Sequence, residues 1–248
     1  MVGSGPAAWA AQEHRRLLRE LKARAPSGPN ETMRSYLGAP VPVLGVRTPE
    51  FRRLVRAVIP RLAARSVAER RSLLRSLWNG RTFEEKAAAI ELLGRRPLLH
   101  EPFAWRMGDG WVDGATGWAL SDSLASGPLA TLVASHPDRF YELLRWTDSE
   151  NLWRRRAATY ALRVWVRAGD LDRPFALLAR LVDDPEKWVQ RAVGTWLREC
   201  WKKDRVRTER FLRQKVRRLA PVTITVATER AARSFREELR RSARRREY

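Results

Sequence analysis

Apolar residues recur along this chain at spacings of three and four, and no segment shows convincing alternation at every second position. Over residues 7–25, Trp9, Leu17, Leu18 and Leu21 oppose Gln, Glu, Arg and Lys. This pattern predicts an amphipathic helix, which Pro26, Gly28 and Pro29 should end. Met33 and Tyr36 fall on a short second helix. Thr48 before Pro49 reads as an N-cap followed by proline at the first helical position. The helix that follows carries Phe51, Leu54, Val55 and Ile59, with Pro60 expected to limit or kink it. The next element runs from Val67 to Trp78, and Asn79-Gly80 is a turn. Thr82 caps a helix over 83–93, with Glu85 completing a capping box.

Beyond residue 94 the same alternation predicts helices of roughly 10–18 residues. Their breaks are Arg96-Pro97, Gly108-Asp109-Gly110, Gly127-Pro128, His136-Pro137-Asp138, Gly169-Asp170 and Asp183-Asp184-Pro185. Val222 to Val226, after Pro221, is the one short β-branched run and reads as a turn into a last helix over 227–240. The tail from Arg240 to Tyr248, with five arginines in nine positions, reads as frayed.

Helix pairs joined by short turns predict an all-α fold, an α-solenoid of HEAT-like helix pairs forming an αα-superhelix. Two stretches resemble each other: Asp148 through Trp153 to Arg156-Ala157, and Asp184 through Trp188 to Arg191-Ala192. Their offset of roughly 35 residues is the size of one helix-pair repeat. Residues 1–240 are expected to form one domain, and 241–248 a basic tail. A stacked array curves, so its concave face would be a groove for a long ligand.

Charge narrows the class of that ligand. Lys and Arg number 49 against 28 Asp and Glu, a net +21. Such an excess belongs at the surface, because unpaired buried cations are very costly. It favours a polyanion, nucleic acid before an anionic membrane. There is no run of about 18 apolar residues and so no expected membrane span. The first residues lack the charged-then-apolar order of a secretory signal. Cys200 is the only cysteine, which fits a reducing cytoplasm and excludes a zinc-finger or iron–sulfur reading. Three scattered histidines argue against a metal site.

The candidate chemistry gathers between Gly117 and Arg156. Trp118 and Asp122 are four apart, which on a helix places an indole and a carboxylate on one face. Either Trp118 is core and Asp122 a helix-start or salt-bridge residue, or the pair belongs to a site that handles nucleic acid. Arg154, Arg155 and Arg156 form a charge run of which only one or two members can face a groove. Trp153 fits the apolar period and is expected in the core; Trp188 and Trp201 are also left to the core.

From about Met33 to Arg233 the chain resembles the HEAT-like-repeat DNA alkylation repair glycosylases, the AlkD-like family. The residues that carry the resemblance early in the chain are Met33-Arg34-Ser35-Tyr36, Leu44-Gly45-Val46-Arg47-Thr48-Pro49, Leu77-Trp78 and Phe83-Glu84. Later come Trp118 with Asp122, Asn151-Leu152-Trp153 with Arg156-Ala157-Ala158, and Gln190, Ala192, Gly194 and Leu197-Arg198-Glu199. The resemblance implies a monofunctional N-glycosylase acting on alkylated purines in duplex DNA for base excision repair. It implies no metal or cofactor, no membrane, no obligatory protein partner and a monomer. Its place would be the cytoplasm, on the nucleoid when bound.

By the same resemblance Asp122 is the active-site aspartate and Trp118 the aromatic beside it. Arg156 and Tyr36 lie at the DNA, with Arg191 and Thr195 as further contacts; Arg47 replaces a neutral position of the family and adds charge near the DNA. Two positions depart from the family pattern. Thr195 stands where the family has tryptophan after the glycine matched by Gly194, and Ala119 stands where Asp is common. Trp196 is one residue on, a turn of roughly 100° about the helix, so it cannot simply replace the missing indole. The wider pocket that Thr195 implies would suit bulky adducts better than small ones.

The chemistry agrees with one carboxylate and no histidine. Glycosidic cleavage develops positive charge on the sugar, which a neighbouring carboxylate stabilises. An N3- or N7-alkylated purine is already cationic and leaves without a general acid. Trp118 offers an electron-rich face to the cation, and Arg156 could hold a phosphate. A non-catalytic HEAT-repeat protein that binds damaged or branched DNA is the alternative. A protein scaffold shares the fold but explains neither charge nor motif.

Overall fold

The computed structural model describes residues 5–28, 30–96, 98–100 and 102–244. Pro29, Pro97 and the tail positions 245–248, all given roles above, lie outside them. The described residues form α-helices with short 3-10 and π turns and contain no strand, so the all-α expectation holds. The chain divides into two compact units, Met1–Leu132 and Val133–Tyr248. No helix among the described residues is long and apolar enough to cross a membrane.

The first unit holds α1 (Pro6–Lys22), α2 (Glu31–Leu37), α3 (Thr48–Ala63), α4 (Val67–Trp78), α5 (Phe83–Leu93), α6 (Ala104–Val112) and α7 (Trp118–Leu124). α1 and α5 both pack against α4, burying Leu17, Leu21, Leu73, Leu74, Leu77 and Leu92. Each such leucine contributes roughly 1.5–3 kcal/mol over an exposed one. Polar pins cross the same interface. His14 of α1 is hydrogen-bonded to Ser76 Oγ at 2.7 Å and to Glu85 Oε1 at 2.6 Å. Glu85 also completes the expected capping box with Thr82, and Ser66 with Glu69 forms another at α4.

Three sequence expectations are corrected in this unit. α3 begins one residue earlier than expected, with Thr48 its first residue and Arg47 the N-cap, so Pro49 is the second helical position. Pro60 does not itself end α3 but lies inside it, and the helix continues to Ala63. Gly108-Asp109-Gly110 is not a break but lies inside α6. Gly108 is there for packing: a Cβ would lie 2.7 Å from Leu129 Cδ2.

Helix α8 (Ala130–Ser135) leads into the second unit, which holds α9 (Phe140–Trp146), α10 (Leu152–Tyr160), α11 (Arg163–Ala168) and α12 (Asp172–Leu178). It continues with α13 (Lys187–Trp201), α14 (Arg205–Lys215), α15 (Pro221–Ala227) and α16 (Arg233–Arg244). α13 is its central helix, packed on α10 and on α15. The two similar stretches are the starts of α10 and α13, which lie side by side as adjacent repeats should.

The β-branched run is helical, contrary to expectation. Pro221 starts α15, and Thr223, Ile224 and Ala227 are buried. Gly194 of α13 permits the approach of α15, since a Cβ there would sit 2.9 Å from Val226 Cβ. Tertiary burial thus overrides a weak local preference. The last helix runs over Arg233–Arg244 rather than 227–240, so Arg240 to Arg244 are helical rather than frayed.

Candidate nucleic-acid site

Two left-handed glycines build the cluster of candidate residues in the first unit. Gly38 ends α2 at φ 61°, and Gly117 precedes α7 at φ 85°. A Cβ on Gly117 would lie 2.1 Å from the Gly38 carbonyl oxygen, so only glycine allows the two backbones to meet. This contact carries Tyr36, two residues before Gly38, onto Trp118, the residue after Gly117. The Trp118 indole N–H donates to the Tyr36 carbonyl at 2.6 Å. The two rings meet edge to face, 5.4 Å apart at 83°. Tyr36 remains 71% exposed, and Trp118 is half-buried.

Asp122 lies one turn further along α7, also half-buried, on the face that carries Trp118. Its carbonyl accepts the Ser126 hydroxyl at 2.6 Å. A π turn over Ala125–Leu129 follows at once and includes Gly127 at φ −95°, ψ −105°. Such turns frequently mark functional segments. The Gly127-Pro128 break expected from sequence is this turn.

Glu84 prepares the approach to Arg47. It is buried, and its carboxylate accepts the backbone N–H groups of Leu44 at 2.9 Å and Gly45 at 2.8 Å. The loop before α3 is thereby fixed, leaving Arg47 exposed at its end.

The second unit holds the remaining residues. The arginine run is dispersed among separate partners. Arg154 lies over Trp146, 5.0 Å from the ring centroid, and Arg155 binds Asp184 at 2.6 Å. Arg156 is only 5% exposed. It donates to the Trp188 carbonyl and, at 3.1 Å, to the Tyr160 hydroxyl. Its guanidinium lies 5.0 Å from the Tyr160 ring and 5.9 Å from the Trp188 ring. Trp188, expected in the core, is instead 41% exposed. Trp153 is half-buried beside it, and Trp201 is half-buried too, so neither reaches the core expected of it.

Thr195 is half-buried and its hydroxyl donates to the Arg191 carbonyl at 2.9 Å; Arg191 is exposed. Trp196 is 7% exposed and meets Tyr160 edge to face at 5.6 Å. It is therefore a packing residue. Gln190 is structural too: its amide nitrogen donates to the carbonyls of Leu181, Val182 and Asp184. The structure thus brings Tyr36 to Trp118 and Asp122 in the first unit. It brings Arg156 to Trp188 in the second, where Arg191 and Thr195 share α13.

Sequence reasoning did not find Trp188, Tyr160 or the bonds of Glu84. The one available signal was the repeated Trp at the starts of α10 and α13. Among the described residues, no three His, Cys, Asp or Glu side chains gather as a metal site. Cys200 is buried, and burial first of all pushes its thiol up to about 12.

Comparison with known proteins completes the picture. A sequence model of a family described as DNA alkylation repair enzyme matches residues 17–231. Comparison with curated proteins gives no match. Among solved structures, a "predicted DNA alkylation repair enzyme" of Enterococcus faecalis is similar, with TM-score 0.72 and 17% identity over 82% of this chain and 94% of that one. AlkD2 of Streptococcus mutans is similar with TM-score 0.67 and 16% identity, over 89% and 98% of the two chains. Identities this low speak for the fold alone, but the family match spans most of the chain, which therefore belongs to the DNA alkylation repair enzyme family.

Proposed function

We propose that this protein is a monofunctional DNA glycosylase. It hydrolyses the N-glycosidic bond of alkylated, cationic N3- or N7-substituted purines in duplex DNA, bulky adducts included. The observation that carries the reading is the pair on α7: Trp118, held at its N–H and its edge by Tyr36, and half-buried Asp122 one turn away. A fixed indole presents a constant face to a cation. A carboxylate partly withdrawn from water stabilises positive charge on the deoxyribose more strongly than an exposed one would.

In the reaction the C1′–N bond breaks and the purine leaves neutral with the bonding electrons. Water adds to C1′, oriented by Asp122, and its proton passes to the carboxylate or to solvent. Arg47 and Arg191, both exposed, together with the excess of cations, would each hold a DNA phosphate. The protein would act as a monomer without cofactor, where DNA is found, in the cytoplasm and on the nucleoid.

A second reading, binding of damaged or branched DNA without turnover, is favoured by Thr195 and by the burial of Arg156. The deciding experiment is incubation with methylated duplex DNA followed by assay of released bases and abasic sites. Under the glycosylase reading, wild type releases methylpurines. Asp122→Asn should then release them roughly 10²–10³ more slowly, with duplex affinity within a few fold. A fully active Asp122→Asn variant would remove Asp122 from the mechanism. Wild type that binds but releases nothing supports the second reading.

A further inference from the structure

Trp188 is the largest side chain left open to solvent in the second unit. Nothing in the mechanism above uses it. An indole at 41% exposure forgoes much of the burial that normally holds tryptophan in place. Yet this one is braced from behind. Trp153 of α10 lies 6.1 Å away at 38°, and the buried Arg156 guanidinium lies 5.9 Å from the ring centroid. Arg156 also donates to the Trp188 backbone carbonyl and to the Tyr160 hydroxyl on its own helix, α10. Two helices, a buried cation and a second indole thus fix the start of α13 where the ring is presented.

Position along α13 gives the ring its neighbours. Seven residues separate Trp188 from Thr195, close to two full turns and about 10.5 Å of rise. Trp188, Arg191 and Thr195 therefore share one face of the helix. Lys187 and Arg191 are both exposed beside the indole. An open aromatic surface beside two exposed cations fits a ligand that combines a π-face with phosphates. Nucleic acid stacking on aromatic platforms uses this combination. The separation of Trp153 and Trp188 is too small to admit a base between them, so a base would stack on the part of Trp188 that is open to solvent.

We infer that Trp188, backed by Trp153 and Arg156, is a stacking platform for an unpaired nucleobase in a DNA duplex, two turns of α13 from Thr195. The inference rests on the proposed function only so far as DNA is the ligand. Arg156 acts here as a positioning residue for the platform. The platform partly compensates for the indole that position 195 lacks. It does not rebuild the same wall, being about 10.5 Å away along the helix.

The test compares binding of the full chain to an intact duplex and to the same duplex carrying one bulged, unpaired base. Wild type should prefer the bulged duplex. Trp188→Ala should lower that preference by about fivefold or more, the range expected of one base–aromatic stack, while Trp188→Phe keeps most of it. The salt slope of binding should be the same for Trp188→Ala as for wild type, and should fall by about one for Arg191→Ala. Circular dichroism should show all three variants folded. A wild type without preference, or a Trp188→Ala variant that retains it, overturns the platform. Base release from methylated duplex is measured in parallel. If it is absent while the preference holds, the glycosylase reading fails and the platform stands. If wild type binds neither duplex, both fall.

Discussion

Gly117 shows how much of the site depends on one missing side chain. Its φ of 85° and the 2.1 Å approach of a virtual Cβ to the Gly38 carbonyl both exclude alanine. Gly117→Ala should destabilise the protein by at least about 1–3 kcal/mol, lower its Tm and loosen Trp118 from Tyr36. Gly110→Ala is the matched control, since a Cβ there meets nothing within 4 Å inside α6. It should leave the Tm unchanged or raise it slightly. Equal melting of the two variants would mean that the Gly38–Gly117 contact does not hold the site together. The same logic separates Gly194, which admits α15, from residues of chemistry. Several residues that carry the family resemblance, Glu84, Gln190 and Gly194 among them, serve the fold.

Among elements, the junction of α1, α4 and α5 has a pH dependence that can be worked out. Burial by itself would raise the Glu85 carboxyl, but hydrogen bonds from His14 and Thr82 outweigh it and hold the group below its ordinary value. A depressed carboxylate contributes stability that is complete above its unfolded pKa, near 4.3. That contribution is lost as pH falls through the lower folded value. Glu85→Gln should therefore cost about 1–3 kcal/mol at neutral pH, through the capping box and the His14 bond. The gap to wild type should close as the solution is acidified below the unfolded pKa. Urea melts at several pH values measure this. A gap that stays constant down to the acid limit would show that Glu85 is not ionised in the junction.

At the scale of the whole molecule the +21 charge dominates. Many of the cations are engaged with carboxylates at the surface, such as Arg180 with Asp148 and Arg218 with Asp183. Exposed pairs of this kind contribute little to stability, but they leave a large excess for a polyanion. Affinity for a plain duplex should fall steeply and linearly in logarithmic terms as salt rises, with little dependence on base sequence. Titration of one labelled duplex from low to moderate salt measures it. A flat response would remove phosphate contact as the basis of binding.

The all-helical pattern, the capping box at Thr82, the helix-pair period and the placing of Trp118 and Asp122 on one face of a helix are all local in the chain. Periodicity and side-chain chemistry within a few residues specify them, so they were legible before folding was considered. The exceptions are instructive. Gly108 and Gly110 resemble a break, and Val222 to Val226 reads as a turn, until packing against Leu129 and α13 decides otherwise. What only the tertiary structure decided is which side chains meet across long separations. Tyr36 meets Trp118 through two glycines 79 residues apart in number. Arg156 is turned inward to Trp188, which stays in water although it is expected in the core. Spacing assigns a residue to a face of its helix, but whether that face is covered depends on the neighbouring helix, and a single helix's sequence does not contain that information.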